Sequence, residues 1–287
     1  AIIVAGGDLE LLQRYSAAAA NTVYQTLVSR RRFEHEDVVY LNPLDGWNNW
    51  WNDVEVTDTE VTADRLGQEI ESARKDNVEL GVPLVIFLAG HGGVKTFQVG
   101  ENEILNAEDL KIWLDDLTNA KVQFRNLNGP EDVPPDEIVL LVDFCYSRTF
   151  LEGVSGPGRV VIGSSSEEVA SVYDGVSFAE SFFRWVSRGG PEANLWRSFE
   201  EARTRVASVF RVAPYMDVDG DGIPLLDASG NLVRGEEENV EKARQMFIGG
   251  EIGGQALTLG VDPEIYSVSV EDKGGSLYGI EVKGTPG

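Results

Sequence analysis

Two stretches decide how this chain is read: Pro83-Leu-Val-Ile-Phe-Leu-Ala-Gly-His-Gly-Gly93 and Glu137-Ile-Val-Leu-Leu-Val-Asp-Phe-Cys-Tyr-Ser147. Each is an unbroken apolar run of strand length. Without polar alternation, such runs suit strands buried on both faces, as in parallel sheets. Each run also ends in a reactive side chain, His91 or Cys145. Two parallel strands of this kind bring both residues to one sheet edge. Open α/β sheets bind ligands just beyond the carboxyl ends of their strands. The chain has one cysteine and two histidines, so Cys/His chemistry has few candidates. The other histidine, His35, lies in the charged stretch Arg31 to Asp37 and reads as a surface residue.

Working outward, strands and helices alternate. Ala1–Ala5 is a short apolar strand, and an alanine-rich helix follows through Leu11 to Ser29. Val38–Leu41 is a second strand. Gly46 to Thr59 is a polar loop carrying Trp47, Trp50 and Trp51. Thr62 is placed to N-cap a helix running to about Asp76. Thr96–Val99 reads as a hairpin arm. Asn106 is expected to cap a helix with Leu110, Trp113, Leu114 and Leu117 on one face. Lys121 to Asp136 reads as a loop, Arg159–Gly163 as a strand, and Ser177–Arg188 and Glu192–Val209 as helices. This order predicts an α/β fold over residues 1–250, with a mainly parallel sheet covered on both faces. From 251 to 287 the pattern changes. Ala256–Leu259, Ile265–Val270 and Leu277–Val282 alternate in the β manner, predicting a small C-terminal β appendage or the start of a further domain.

The 287 residues carry 48 acidic against 24 basic side chains, a net charge of −24. Phosphates are repelled by such a surface, so no nucleic-acid partner is expected. No apolar run approaches the roughly 20 residues that cross a bilayer, so no membrane span is expected in this segment. A single cysteine excludes an internal disulfide but leaves the compartment open. The first residues already read as core strand. The segment is therefore expected to be trimmed, with any signal peptide upstream, and a secreted or cell-surface location is favoured over a cytoplasmic one.

A free cysteine thiol, with a pKa near about 8.5, is mostly protonated at neutral pH. An adjacent imidazole takes that proton or stabilises the thiolate. Gly92 and Gly93 let backbone approach a substrate, and a bare N–H there can face a developing oxyanion. The plainer reading of Cys145 is a buried small apolar residue at a strand end.

Together these pieces resemble the caspase-like clan of cysteine peptidases, within it the legumain (asparaginyl endopeptidase) branch and its bacterial relatives. The matching segments are Ala1–Gly6, the run into His91-Gly92, the run into Asp143-Phe144-Cys145-Tyr146-Ser147, and Gly163–Glu168 followed by Ser177-Phe178. The resemblance covers about residues 1 to 250. It implies a caspase/hemoglobinase-like three-layer αβα sandwich and a thiol endopeptidase acting on a protein or peptide substrate. No cofactor is implied for the chemistry. His91 would move the proton and Cys145 would attack the carbonyl. The N–H groups of Gly92 and Cys145 would form the oxyanion hole. Asp143, two residues before Cys145 and so on the same face of a strand, and Asp174 are similar to residues lining the pocket for the residue before the scissile bond. Two carboxylates there imply cleavage after Arg or Lys. The legumain-like alternative is cleavage after Asn, with Arg14 as a helper. Gly90 and Arg148 depart from the family pattern and favour a second alternative, a non-catalytic calcium-stabilised adhesion or scaffold module. A transpeptidase, in which an amine replaces water, is a third.

Asp217-Val218-Asp219-Gly220-Asp221-Gly222 has carboxylates at positions one, three and five, then glycine. Hard oxygen ligands at that spacing wrap calcium, and the glycine permits the sharp turn. Ala228 stands where a full EF-hand loop has glutamate. The expected site is therefore a looser structural calcium loop, completed by Asp227 or by a carboxylate such as Glu236 or Glu237.

Overall fold

A computed structural model describes residues 1–7, 10–31, 33–43, 60–74, 78, 83–128, 138–166, 177–190, 192–210, 212–249, 267–272 and 278–283. The main sheet has six strands. They are β1 (Ile2–Ala5), β2 (Val39–Leu41), β3 (Leu84–Ala89), β7 (Ile138–Asp143), β8 (Arg159–Gly163) and β9 (Tyr215–Asp217). Their order is β2-β1-β3-β7-β8-β9, parallel except for β9, which runs antiparallel to β8 at the edge. Between β3 and β7 the chain builds a separate antiparallel sheet from β4 (His91–Gly93), β5 (Thr96–Gly100) and β6 (Glu103–Asn106).

The helices are α1 (Glu10–Arg30), α2 (Ala63–Ser72), α3 (Ala107–Asn128), α4 (Ser147–Val154), α5 (Phe178–Val186), α6 (Leu195–Phe210) and α7 (Glu237–Gln245). Strand side chains alternate between faces, and the core divides accordingly. Ile3, Phe87, Leu141 and Ile162 pack with residues of α1, α5, α6 and α7. Val4, Ile86, Leu140 and Val161 pack with residues of α2, α3 and α4. The result is three layers, helix on sheet on helix. The uniform hand of parallel crossovers accounts for the division. The one step that runs back, β1 to β2, carries α1 on one face. The steps toward β8 carry α2, α3 and α4 on the other.

Side-chain caps form at helix starts, the expected Thr62 among them. The Thr62 hydroxyl accepts the Arg65 N–H at 3.0 Å, and the Ser177 hydroxyl accepts the Glu180 N–H at 3.0 Å. Leu110, Leu114 and Leu117 are buried, with Trp113 packed beside them. Two readings are corrected. The segment from Lys121 is not a loop as far as Asn128, because α3 continues through it. His35 is not simply exposed; it is half-buried, with Nδ1 paired to the Tyr24 hydroxyl. The expected β pattern near the end appears as an antiparallel pair, β10 (Ser267–Asp272) and β11 (Tyr278–Lys283). The tryptophan loop and the Ala256–Leu259 strand lie outside the described residues. Among the described residues, no helix is long and apolar enough to cross a membrane.

Candidate active site

Neighbouring strands β3 and β7 pair in parallel from Leu84↔Ile138 to Ala89↔Asp143. Both apolar runs therefore stop at the same level. His91 and Cys145 each lie two residues past that line, at the carboxyl edge and next to the strand-order reversal between β1 and β3.

Glycines let the β4–β5 hairpin fold down onto this edge. A Cβ on Gly90 would lie 2.8 Å from the Gly6 carbonyl oxygen, and one on Gly6 would lie 2.4 Å from that of Gln98. The residue before His91 is thus confined to glycine by backbone on its far side. A Cβ on Gly92 would lie 2.3 Å from the Cys145 carbonyl oxygen and 2.2 Å from the Phe144 ring. The backbone beside the histidine therefore rests directly on the backbone of the cysteine. Beneath them Phe97 stacks on Phe144 with ring centres 5.0 Å apart, and Phe144 meets Phe150 edge-on at 5.3 Å.

The hairpin register orients the glycine backbone. Gly93 pairs with Thr96 across a two-residue turn, Val94-Lys95, so that pair exchanges hydrogen bonds. The next pair, Gly92 and Phe97, is then the non-bonded kind. The Gly92 N–H and C=O consequently point away from β5, off the other edge of β4.

Cys145 sits in an abrupt strand-to-helix turn. β7 ends at Asp143, Phe144 is buried, and Tyr146 adopts a left-handed conformation (φ 59°, ψ 20°) as the N-cap of α4. A non-glycine residue in that region is strained, and such turns lift the adjoining residue to the surface of a sheet edge. Cys145 itself is half-buried. A buried serine pair holds the turn. The Ser165 N–H donates to the Ser147 hydroxyl at 2.9 Å, the Ser147 N–H to the Ser165 hydroxyl at 3.3 Å, and the Ser165 hydroxyl to the Phe144 carbonyl at 3.0 Å. The Tyr215 hydroxyl donates to the Ser147 carbonyl from β9. Burial holds the Tyr215 phenol well above the ordinary tyrosine range, so it stays a donor. Ser165 was recoverable from sequence, because it follows β8, the strand beside β7. Tyr215 was not, because it lies on a three-residue strand 68 positions from its acceptor.

The expected pocket residues fare differently. Asp143 is buried, and its carboxylate accepts the Ala179 N–H at 3.0 Å, in the first turn of α5. Burial raises its pKa above the usual carboxylate value, while the bond from the Ala179 N–H pulls it back. Its present role is thus to tie a helix start to the sheet. The same-face argument linking it to Cys145 fails because the chain leaves the sheet at Asp143. Asp174 lies outside the described residues. Arg14 is in α1, but its side chain is outside them too. Arg148, the second residue of α4, is half-buried.

In the acidic loop, the carboxylates of Asp217, Asp219 and Asp221 offer oxygens within 4.8 Å of one another. Asp217 is fully buried and accepts from the Ser155 hydroxyl at 2.7 Å, the Gly220 N–H at 2.8 Å and the Gly222 N–H at 3.0 Å. Burial raises its pKa against those bonds. Burial also pushes Asp219 up, but hydrogen bonds led by Asn239 bring it below the ordinary value. Asn239 also donates to Glu236 at 2.8 Å, so Glu236 stands nearer this group than the sequence spacing implied. Asp227 does not join the three. Its carboxylate accepts the N–H groups of Ser229 and Asn231 at 2.8 and 2.9 Å in a turn of its own.

Neither a scan against protein-family models nor a search of curated proteins returns a match to this chain. Chemically, the edge combines an imidazole, a half-buried thiol on a strained turn, and a glycine N–H directed off a strand edge. Those are the parts of nucleophilic attack on a carbonyl with stabilisation of the resulting oxyanion.

Proposed function

We propose that this chain is a cysteine endopeptidase of caspase-like fold, related to the legumain branch. The Cys145 thiolate attacks a peptide carbonyl and His91 relays the proton, first from the thiol and then to the leaving amine. Water, activated by the same imidazole, releases the acyl-enzyme and restores the thiol. Gly92 N–H and Cys145 N–H receive the oxyanion. The observation that carries the reading is the contact of Gly92 with the Cys145 backbone, which joins two chain segments distant in sequence at the ends of adjacent strands. The resemblance in the residues around His91 and Cys145 supports the same conclusion.

Cleavage after Arg or Lys is the narrower part of the proposal. With Asp143 engaged by α5, selection of a basic side chain rests chiefly on Asp174. The test is a positional-scanning peptide assay beside a Cys145→Ala control. Cys145-dependent cleavage after Arg or Lys is the expected result. Cleavage after Asn defeats the basic preference, and cleavage that survives Cys145→Ala defeats the peptidase reading. Amine acceptors in the same assay separate hydrolysis from transpeptidation.

The second reading, a calcium-stabilised scaffold on the same fold, is favoured by the meeting of Asp217, Asp219 and Asp221. A divalent cation there would be structural and take no part in the chemistry. Calorimetric titration with calcium decides, with Asp219→Ala as the comparison; no heat from the unmodified chain removes the cation.

A further inference from the structure

We propose that Thr149 is a positioning residue of this site: its hydroxyl fixes the hairpin that carries His91 against the turn that carries Cys145. The inference rests on the cysteine-peptidase reading. One oxygen makes both connections. It accepts the Lys95 N–H at 2.9 Å, from the β4–β5 turn, and donates to the Tyr146 carbonyl at 2.8 Å, in the cysteine turn. The Thr149 N–H reaches the same Tyr146 carbonyl at 2.9 Å. On the other side, the Lys95 carbonyl accepts the Ala107 N–H at 2.9 Å, which ties the hairpin turn to the start of α3.

A second observation falls on the same two residues. Among the described residues, the non-glycine positions with positive φ are Lys95 (56°) and Tyr146 (59°). Residues with a Cβ hold that conformation only where their surroundings enforce it, and such positions gather at functional sites. One lies four residues past His91 and the other one residue past Cys145. The same hydroxyl bridges both.

Close packing accompanies this tie: Phe97 stacks on Phe144, and Gly92 lies against the Cys145 carbonyl. Apolar contact sets how near the two pieces come but has little directional preference. A hydrogen bond does have direction. The Thr149 hydroxyl thus gives the hairpin that carries the imidazole a directional tie to the turn that carries the sulfur. Thr149 is only half-buried, so water can satisfy the Lys95 N–H when the hydroxyl is removed. Its loss should therefore alter the site more than the stability of the fold.

The experiment measures the rate of Cys145 alkylation by iodoacetamide across mildly acidic to mildly basic pH. The full chain, His91→Ala, Thr149→Val and Thr149→Ser are compared, with thermal unfolding of each. Valine keeps the shape without the hydroxyl; serine keeps the hydroxyl. The expected result is an acid-side reactivity in the parent that His91→Ala abolishes. Thr149→Val should lower it about tenfold, the loss of one net hydrogen bond's discrimination, while Thr149→Ser stays within about twofold and unfolding midpoints stay within about 3 °C. A Thr149→Val profile matching a parent that is itself His91-dependent overturns the positioning role and leaves the dyad standing. A parent without His91-dependent reactivity overturns the dyad, and this proposal with it.

Discussion

Gly92→Ala is the sharpest test of the juxtaposition on which the site depends. The new methyl would sit 2.3 Å from the Cys145 carbonyl oxygen and 2.2 Å from the Phe144 ring. Ordinary contacts of these kinds need roughly 1 Å more. Neither neighbour yields easily. The carbonyl belongs to the turn held by Ser147 and Ser165, and the ring is wedged between Phe97 and Phe150. The hairpin must lift instead, at a cost of about 2–4 kcal/mol, at or just above the upper end of overpacking effects. For a domain of this size that lowers the unfolding midpoint by about 5–12 °C. Gly93→Ala is the matched control one residue along. There the methyl would meet only the Thr96 hydroxyl, at 2.7 Å, the end of a side chain that can rotate. It should cost about 1 kcal/mol or less. Calorimetry gives the midpoints, and iodoacetamide labelling reports the sulfur environment. If Gly92→Ala melts within about 1 °C of the parent and labels at the same rate, the hairpin does not rest on the cysteine turn, and the derivation of the site is wrong.

Two further outcomes follow from named groups. Asp143 has a raised carboxyl pKa. Its protonated form is favoured by folding, so the stability it adds is complete below the unfolded value of about 3.9 and fades as pH rises through the folded value. Asp143→Asn, which keeps an oxygen for the Ala179 N–H, should flatten that part of the stability-versus-pH curve and raise or preserve the midpoint at neutral pH; a large loss at neutral pH contradicts this. Activity of the same variant on Arg and Lys peptides separates the two roles of Asp143, since a tie to α5 predicts retention and a substrate contact predicts loss. Tyr215→Phe removes the donor to the buried Ser147 carbonyl and should cost about 1–3 kcal/mol in urea denaturation. No measurable cost would mean that the carbonyl has another partner.

The layers were legible because burial on both faces writes itself into composition. β3 and β7 are strand-length apolar runs rich in Leu, Val and Ile, as strands buried on both faces require. Their parallel pairing followed from the helices between strands, and with it the shared level of His91 and Cys145. What the sequence hid is tertiary. β4 is His-Gly-Gly, a strand with no strand-forming composition, which exists because β5 pairs with it. Helix α4 was missed because Gly153 is a poor helix former. That glycine is required all the same, since a Cβ there would lie 2.5 Å from the Ala107 Cβ where α4 meets α3. Alternation placed Asp143 beside Cys145, but the strand ends at Asp143, two residues short of the cysteine. The acidic spacing did find Asp217, Asp219 and Asp221, but spacing carries no information on Asp227, which folds into its own turn.

The two outward ties of β9 bear on how this edge opens. Tyr215 and Asp217 share a face of a three-residue strand; the first holds the Ser147 carbonyl at the start of α4, and the second holds the Ser155 hydroxyl just past its end. A helix of eight residues, about 12 Å long, is thus pinned at both ends by one short peripheral strand. Neither end can fray alone without straining the other. The segment from Cys145 to Ser155 and the strand from Tyr215 to Asp217 should therefore behave as one cooperative opening unit, their amides exchanging with deuterium at a common rate although 60 residues of chain separate them.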